Sequence, residues 1–232
     1  EKEINWRVQR ATSAGLIGEL GVHQLDMASW FLNKRPLAVT GFGDIIHWTD
    51  GRDVPDTAQA LIEFPEGVLL NYEATIANSF DSDYEVYYGT DSAIMVRESK
   101  AWMFKEVDAP LLGWEVYARK DSFGKETGIA LVADASKSAK EGAAGAEEAP
   151  PTVPLQFALE AFIANTHVHH AAVEDFAANF DVNDLDALKE YLASINKTKR
   201  HYAGCKEGYE ATVLAIKANE AVLKKQRLVI EN

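Results

Sequence analysis

Near the start of the chain, Glu19, His23 and Asp26 lie within two helical turns, in the segment GELGVHQLD. If this segment opens a helix, spacings of four and three residues put all three side chains on one face. A carboxylate beside an imidazole fixes the tautomer of the ring, and the imidazole can then exchange a proton with a substrate hydroxyl near neutral pH. The same residues also fit a helix N-terminus whose histidine only contacts its neighbours. Spacing alone leaves both interpretations open.

The flanking sequence extends this pattern. The tripeptide NWR precedes the segment, and the helix-like MASWFL follows it. Together these stretches resemble the start of the C-terminal domain of the Gfo/Idh/MocA oxidoreductases, where the corresponding residues usually read Asp-x-Gly-x-His-x-x-Asp. Gly21, His23 and Asp26 match that motif, whereas Glu19 stands where the family has Asp. The longer carboxylate of Glu19 can do the same work one bond further out.

The resemblance implies a function. Family members are NAD(P)-dependent sugar and polyol dehydrogenases, in which a Rossmann domain precedes an open-faced β-sheet domain. The implied mechanism is hydride transfer between a carbinol carbon and the nicotinamide, with His23, backed by Glu19 or Asp26, moving the hydroxyl proton. Two alternatives stay open: an NAD-dependent relative that cleaves glycosidic bonds, and a non-catalytic oligomerisation or ligand-binding module of the same fold.

Three other residues are candidate substrate contacts beside Asp26. Arg7 can reach a substrate oxygen or pair with one of the many carboxylates. His201 and Tyr202 precede a predicted helix, a position that suits polar substrate contacts but also an ordinary helix cap. The sequence predicts no metal site.

No segment of this chain can hold a dinucleotide. The glycines between residues 15 and 21 have the wrong spacing for a pyrophosphate-binding turn, and Gly41-Phe42-Gly43 lacks the third glycine. The Glu-Lys-Pro motif of the relatives is also missing. We therefore expect NAD or NADP only in a longer parent protein, which agrees with a start at Glu1 that has neither an initiator Met nor a signal-peptide profile.

Composition excludes several other classes of function. The 232 residues are 47% hydrophobic and carry a formal net charge of −13, so nucleic acid and anionic membranes are poor partners. The single cysteine, Cys205, cannot form an internal disulfide and is expected to be a small buried residue near a helix start. A cytoplasmic location is expected, with an exported parent as the open alternative.

Hydrophobic periodicity predicts sheet first and helices after. Alternating segments predict strands at 37–48, 58–64, 68–76, 83–88, 93–98 and 101–105, and helical spacing begins after residue 154, with a last strand at 227–230. Residues 133–151 read as a flexible loop. We therefore predict one α+β domain over 1–232, with an open-faced, mostly antiparallel sheet and helices packed on one face.

The second face of that sheet carries Leu69, Asn71, Glu73 and Thr75. This mixture is too polar for a core but suits a subunit contact, so we expect a homo-dimer or tetramer through the sheet face. The family resemblance points to the same assembly. A solvated sheet face is the alternative.

Overall fold

The computed structural model describes residues 4–80, 82–97, 100–118, 120–123, 126–131 and 154–231. The chain divides into two compact units, one formed by Glu1–Gly145 with Lys206–Asn232 and the other by Ala146–Cys205. Each unit is described by itself below. The predicted loop at 133–151 lies outside the described residues, and a single domain over 1–232 stays a prediction.

The elements confirm the predicted α+β class. In chain order they are α1 (Val22–Leu32), β1 (Ala38–Asp44), β2 (Thr57–Glu63), β3 (Leu69–Thr75), β4 (Tyr84–Tyr88), β5 (Ser92–Arg97), β6 (Lys100–Lys105), β7 (Lys120–Phe123), β8 (Glu126–Leu131), α2 (Pro154–Asn179), α3 (Leu185–Asn196), α4 (Cys205–Lys224) and β9 (Leu228–Val229). The strand pairs are antiparallel. Where the sequence predicted one sheet, the described strands form two, in the orders β3-β2-β1-β9 and β4-β5-β6-β8-β7.

The first sheet is covered by helices on one face. Along β2 the burial alternates, with Ala58, Ala60 and Ile62 buried and the residues between them exposed. Leu214, Ala215, Ala218, Ala221 and Val222 of α4 share the core of this face, together with Leu25 of α1. Helix α4 approaches β1 closely: a Cβ added at Gly41 or at Gly43 would lie 2.7 Å from a methyl of Val222. These glycines therefore let the helix lie against the strand.

A buried carboxylate organises the connection from β1 to β2. Asp56 is fully buried, and it accepts hydrogen bonds from the backbone N–H groups of Ile46 (3.0 Å), His47 (2.9 Å) and Trp48 (2.9 Å), and from the hydroxyl of Thr57 (3.2 Å). Burial alone would raise the pKa of Asp56, but these donors outweigh it and lower the pKa from 3.8 to about 2. The ionised side chain thus fixes the path of residues 46–48.

The same connection holds the N-terminal segment. The backbone N–H of Arg10 donates to Asp53 Oδ1 at 2.6 Å, and its guanidinium donates to the Asp53 carbonyl at 3.0 Å. The Asp53 N–H in turn donates to the carbonyl of Val8 at 3.3 Å. Residues 8–10, which lead into the GELGVHQLD segment, are therefore tied to the loop that Asp56 stabilises.

The second unit is a pair of helices. The rings of Phe176 and Phe180 on the α2 side stack at 5.0 Å between centroids, and Tyr191 of α3 lies 5.6 Å from Phe176. Asp184 caps α3 by accepting the N–H of Ala187 at 3.0 Å. In the part of the chain that the structure describes, no helix combines the length and the apolar character that crossing a membrane requires.

One prediction about burial is wrong. Cys205, expected to be buried, is exposed. It is the first residue of α4, and the buried residues of that helix begin only at Ala211.

Candidate functional site

The GELGVHQLD segment forms a widened helical turn followed directly by α1. Residues Ile17–Gly21 have π-helical hydrogen bonding, and α1 begins at Val22. Single π-helical turns occur frequently at functional sites, because the extra residue per turn re-aims the side chains around it. Glu19 therefore lies on the widened turn, whereas His23 and Asp26 lie on the regular helix that follows.

Glycines at every third position allow this segment to pack closely against neighbouring side chains. A Cβ at Gly15, whose φ is +73°, would collide with the side chain of Asn219 on α4, and one at Gly18 would collide with Ala14. At Gly21 a Cβ would lie 2.7 Å from both Cζ and the hydroxyl oxygen of Tyr72 on β3. The Cβ positions of all three glycines therefore point at protein side chains.

Glu19 stabilises the residues that precede the turn. Its Oε1 accepts the Ser13 hydroxyl at 3.1 Å and the Ala14 N–H at 3.3 Å, and its Oε2 lies 3.6 Å from Nε of Arg7. The Glu19 side chain is 20% exposed and that of Arg7 is 70% exposed, with its guanidinium over the ring of Trp6. The structure thus brings together two predicted site residues, Glu19 and Arg7, and leaves most of the guanidinium open.

His23 is exposed on α1, on the side of the helix away from the buried Leu25 and Ala28. Among the described residues neither the His23 side chain nor the Asp26 side chain makes a hydrogen bond or an ion pair, and Glu19 contacts Ser13, Ala14 and Arg7 instead of His23. The exposed imidazole therefore has no partner among the described side chains, and Asp26 lies three residues further along the same face. Support of His23 by Glu19 stays a prediction.

His201 and Tyr202 lie in the second unit, in the stretch between α3 and α4, and both are exposed. Their role as substrate contacts stays a prediction. In the described ranges, no three His, Cys, Asp or Glu side chains are arranged to hold a metal ion.

Tyr72 is a residue of this site that the sequence did not reveal. It is 9% exposed in the core of the first sheet, and burial raises the pKa of its phenol to about 12. Alternation along β3 predicts that Tyr72 faces the core, but nothing in the sequence predicts its contact with Gly21, since the two residues lie far apart along the chain.

Comparisons with known proteins agree with this fold. Residues 1–94 match the model of the GFO/IDH/MocA C-terminal domain, which confirms the predicted resemblance over that range. No curated protein matches the sequence.

Solved structures with the same fold are oxidoreductases of low sequence identity. A levoglucosan dehydrogenase in complex with NADH and L-sorbose has a TM-score of 0.55 and 14% identity, covering 97% of this chain and 53% of that chain. An NAD-binding oxidoreductase from Klebsiella pneumoniae has a TM-score of 0.56 and 12% identity, covering 98% and 54%. An oxidoreductase domain protein from Kribbella flavida has a TM-score of 0.56 and 13% identity, covering 98% and 53%. The chain thus spans about half the length of these structures.

Proposed function

We propose that this chain, whose residues 1–94 match the GFO/IDH/MocA C-terminal domain, is the substrate-binding and catalytic domain of a nicotinamide-dependent sugar or polyol dehydrogenase. The observation that carries the proposal is the exposed His23, held at the start of α1 by a turn packed on two sides. An accessible imidazole at a fixed position can take a proton from a substrate hydroxyl near neutral pH.

The proposed mechanism assigns one task to each side chain. His23 would accept the proton of a carbinol hydroxyl, and a nicotinamide bound to a nucleotide-binding domain joined to this chain would supply the hydride acceptor. Asp26, on the same face of α1, and the open guanidinium of Arg7 bind neighbouring hydroxyl groups and orient the carbon. Glu19 keeps Arg7 and the turn in place. His201 and Tyr202 lie in the second unit, and their contact with a substrate stays a prediction from the sequence.

The proposal is tested with the protein that joins this chain to a nucleotide-binding domain. We expect NAD or NADP to be reduced, measured by absorbance at 340 nm, with at least one member of a panel of sugars, polyols and sugar anhydrides that includes levoglucosan and L-sorbose. The names of the structural neighbours support this choice of panel. Hydrolysis of a glycoside without net reduction would favour the glycoside-cleaving alternative, and no turnover with any substrate would favour the non-catalytic module.

The chain alone should bind neither NAD nor NADP with a dissociation constant in the micromolar range or below. The reason is that the glycines between residues 15 and 21 lack the spacing of a pyrophosphate-binding turn, and a Cβ at each would meet Asn219, Ala14 or Tyr72. Isothermal titration calorimetry of the purified chain with each cofactor checks this, with an intact dehydrogenase as the positive control. Micromolar binding would show that the chain holds a nucleotide site of its own.

We further propose that two copies of the chain associate through the open face of the first sheet. On this face Leu69 and Phe42 are 61% and 60% exposed, and Leu61 is 37% exposed. Polar residues lie between them in register, with Leu61 opposite Asn71 and Phe42 opposite Gln59. This mixture of apolar and hydrogen-bonding side chains is typical of a subunit interface.

Leu69→Lys should convert an associated form to the 25.6 kDa monomer, because two-fold pairing would bring each lysine into the partner's sheet face. Light scattering over a dilution series measures the mass. Val107→Lys is the matched control, since Val107 is an exposed aliphatic residue that lies outside the strands. A wild-type mass of a monomer at every concentration would contradict the proposal.

A further inference from the structure

Tyr72 touches the backbone on which the GELGVHQLD segment turns into α1. A Cβ on Gly21 would lie 2.7 Å from Cζ and from the hydroxyl oxygen of Tyr72, and 3.1 Å from its Cε2. Gly21 ends the π-helical turn and directly precedes the first residue of α1. Tyr72 thus packs directly under the residue that precedes α1.

The Tyr72 ring is held in place by close packing. Tyr72 lies in the middle of β3, opposite Ala60 of β2, and belongs to the core that also contains Ile17, the first residue of the turn, and Leu25 of α1. Because protein interiors are close-packed, a shift of the phenol ring would have to move these neighbours as well. The position of the ring therefore sets how far the turn stands from the sheet.

We propose that Tyr72 is the positioning residue of His23: through Gly21 it fixes the start of α1, and thereby the place and direction of the imidazole. This inference rests on the proposed function for its effect on catalysis, but its geometric part concerns this chain alone. His23 lies two residues after Gly21, and its imidazole has no hydrogen bond among the described residues. The position of its backbone therefore determines where the imidazole points.

A cavity beneath Gly21 should therefore misplace His23 without removing it. Tyr72→Leu should lower the kcat of the dehydrogenase by about tenfold or more with KM little changed, because small displacements of a catalytic group cost large factors in rate. Tyr72→Phe keeps the ring against Gly21 and should therefore retain wild-type kcat and KM. The matched control is Phe64→Leu, since Phe64 is 2% exposed in the same core but the three atoms nearest to the Cβ position of Gly21 all belong to Tyr72.

A compensating pair strengthens the test. Gly21→Ala alone drives a methyl group into the Tyr72 ring, whereas in the Tyr72→Leu background the same methyl enters the vacated space. We expect the double variant to recover part of the kcat that Tyr72→Leu loses. Circular dichroism establishes that each variant is folded. Equal losses of kcat in Tyr72→Leu and Phe64→Leu, or no recovery in the double variant, would overturn the proposal.

A second readout is independent of activity. In the NMR spectrum of this chain, Tyr72→Leu should shift the Gly21 amide and the imidazole resonances of His23, while Phe64→Leu leaves them in place. If the protein lacks dehydrogenase activity but these shifts appear, the proposed function fails and the positioning role stands. If both variants shift His23 alike, the positioning role fails whatever the activity.

Discussion

Replacing His23 with alanine is expected to lower turnover of the proposed dehydrogenase by roughly 10²-fold or more, since general acid–base catalysis contributes factors of that size. The free energy of unfolding should hardly change, because His23 is exposed and has no hydrogen-bond partner in the described part of the chain. Steady-state kinetics and urea unfolding measure the two quantities.

The control for this variant is His169→Ala, which removes an equally exposed imidazole from α2. His169→Ala should leave turnover unchanged if the loss of turnover in His23→Ala depends on the position of His23 and not merely on the loss of an exposed histidine. Wild-type kinetics in the His23→Ala variant, with the protein correctly folded, would remove His23 from the mechanism.

Asp56→Asn should lower the free energy of unfolding by about 2 kcal/mol or more at pH 7. A change of the Asp56 pKa from 3.8 to about 2 corresponds to that amount at about 1.4 kcal/mol per pH unit. The asparagine also turns an NH₂ group toward the backbone donors of residues 46–48 in a fully buried site. Urea unfolding measures the loss, and Asp108→Asn, at an exposed carboxylate, is the control.

The sign of the pH dependence follows from the lowered pKa. The stabilisation by ionised Asp56 is fully present above pH 4 and is lost as the pH falls through about 2. The difference in unfolding free energy between wild type and Asp56→Asn should therefore shrink between about pH 4 and pH 2. A difference that is absent at pH 7, or that stays constant down to pH 2, would contradict this role of Asp56.

Local periodicity was sufficient to predict most of the first sheet. The alternation in β2 and β3 reflects a sheet with helices on one face, and a pattern of period two is visible wherever one face is buried. The break into two sheets could not be predicted in this way, because it depends on which strands hydrogen-bond to each other and not on their individual patterns. Neither could the N-terminal tether from Arg10 to Asp53, which joins distant segments.

The candidate site was predictable in its residues but not in its contacts. Placing Glu19 and His23 four residues apart on one face assumes regular α-helical geometry, whereas Glu19 lies on a π-helical turn and binds Ser13 and Ala14. The ion pair of Glu19 with Arg7 joins two residues that the sequence had proposed for separate tasks. Residue type and spacing therefore identified the segment, and tertiary packing determined the partners.

The most direct test of the account follows the hydrogen on the carbinol carbon of a substrate. With the sugar or polyol that the panel identifies, deuterated at that carbon, the dehydrogenase should accumulate one reduced nicotinamide per sugar oxidised, carrying the deuterium, as measured by mass spectrometry of the cofactor. The His23→Ala variant should form this product at roughly 10²-fold lower rate. Product that forms without accumulation of deuterated, reduced cofactor would contradict the assignment of this chain to a dehydrogenase.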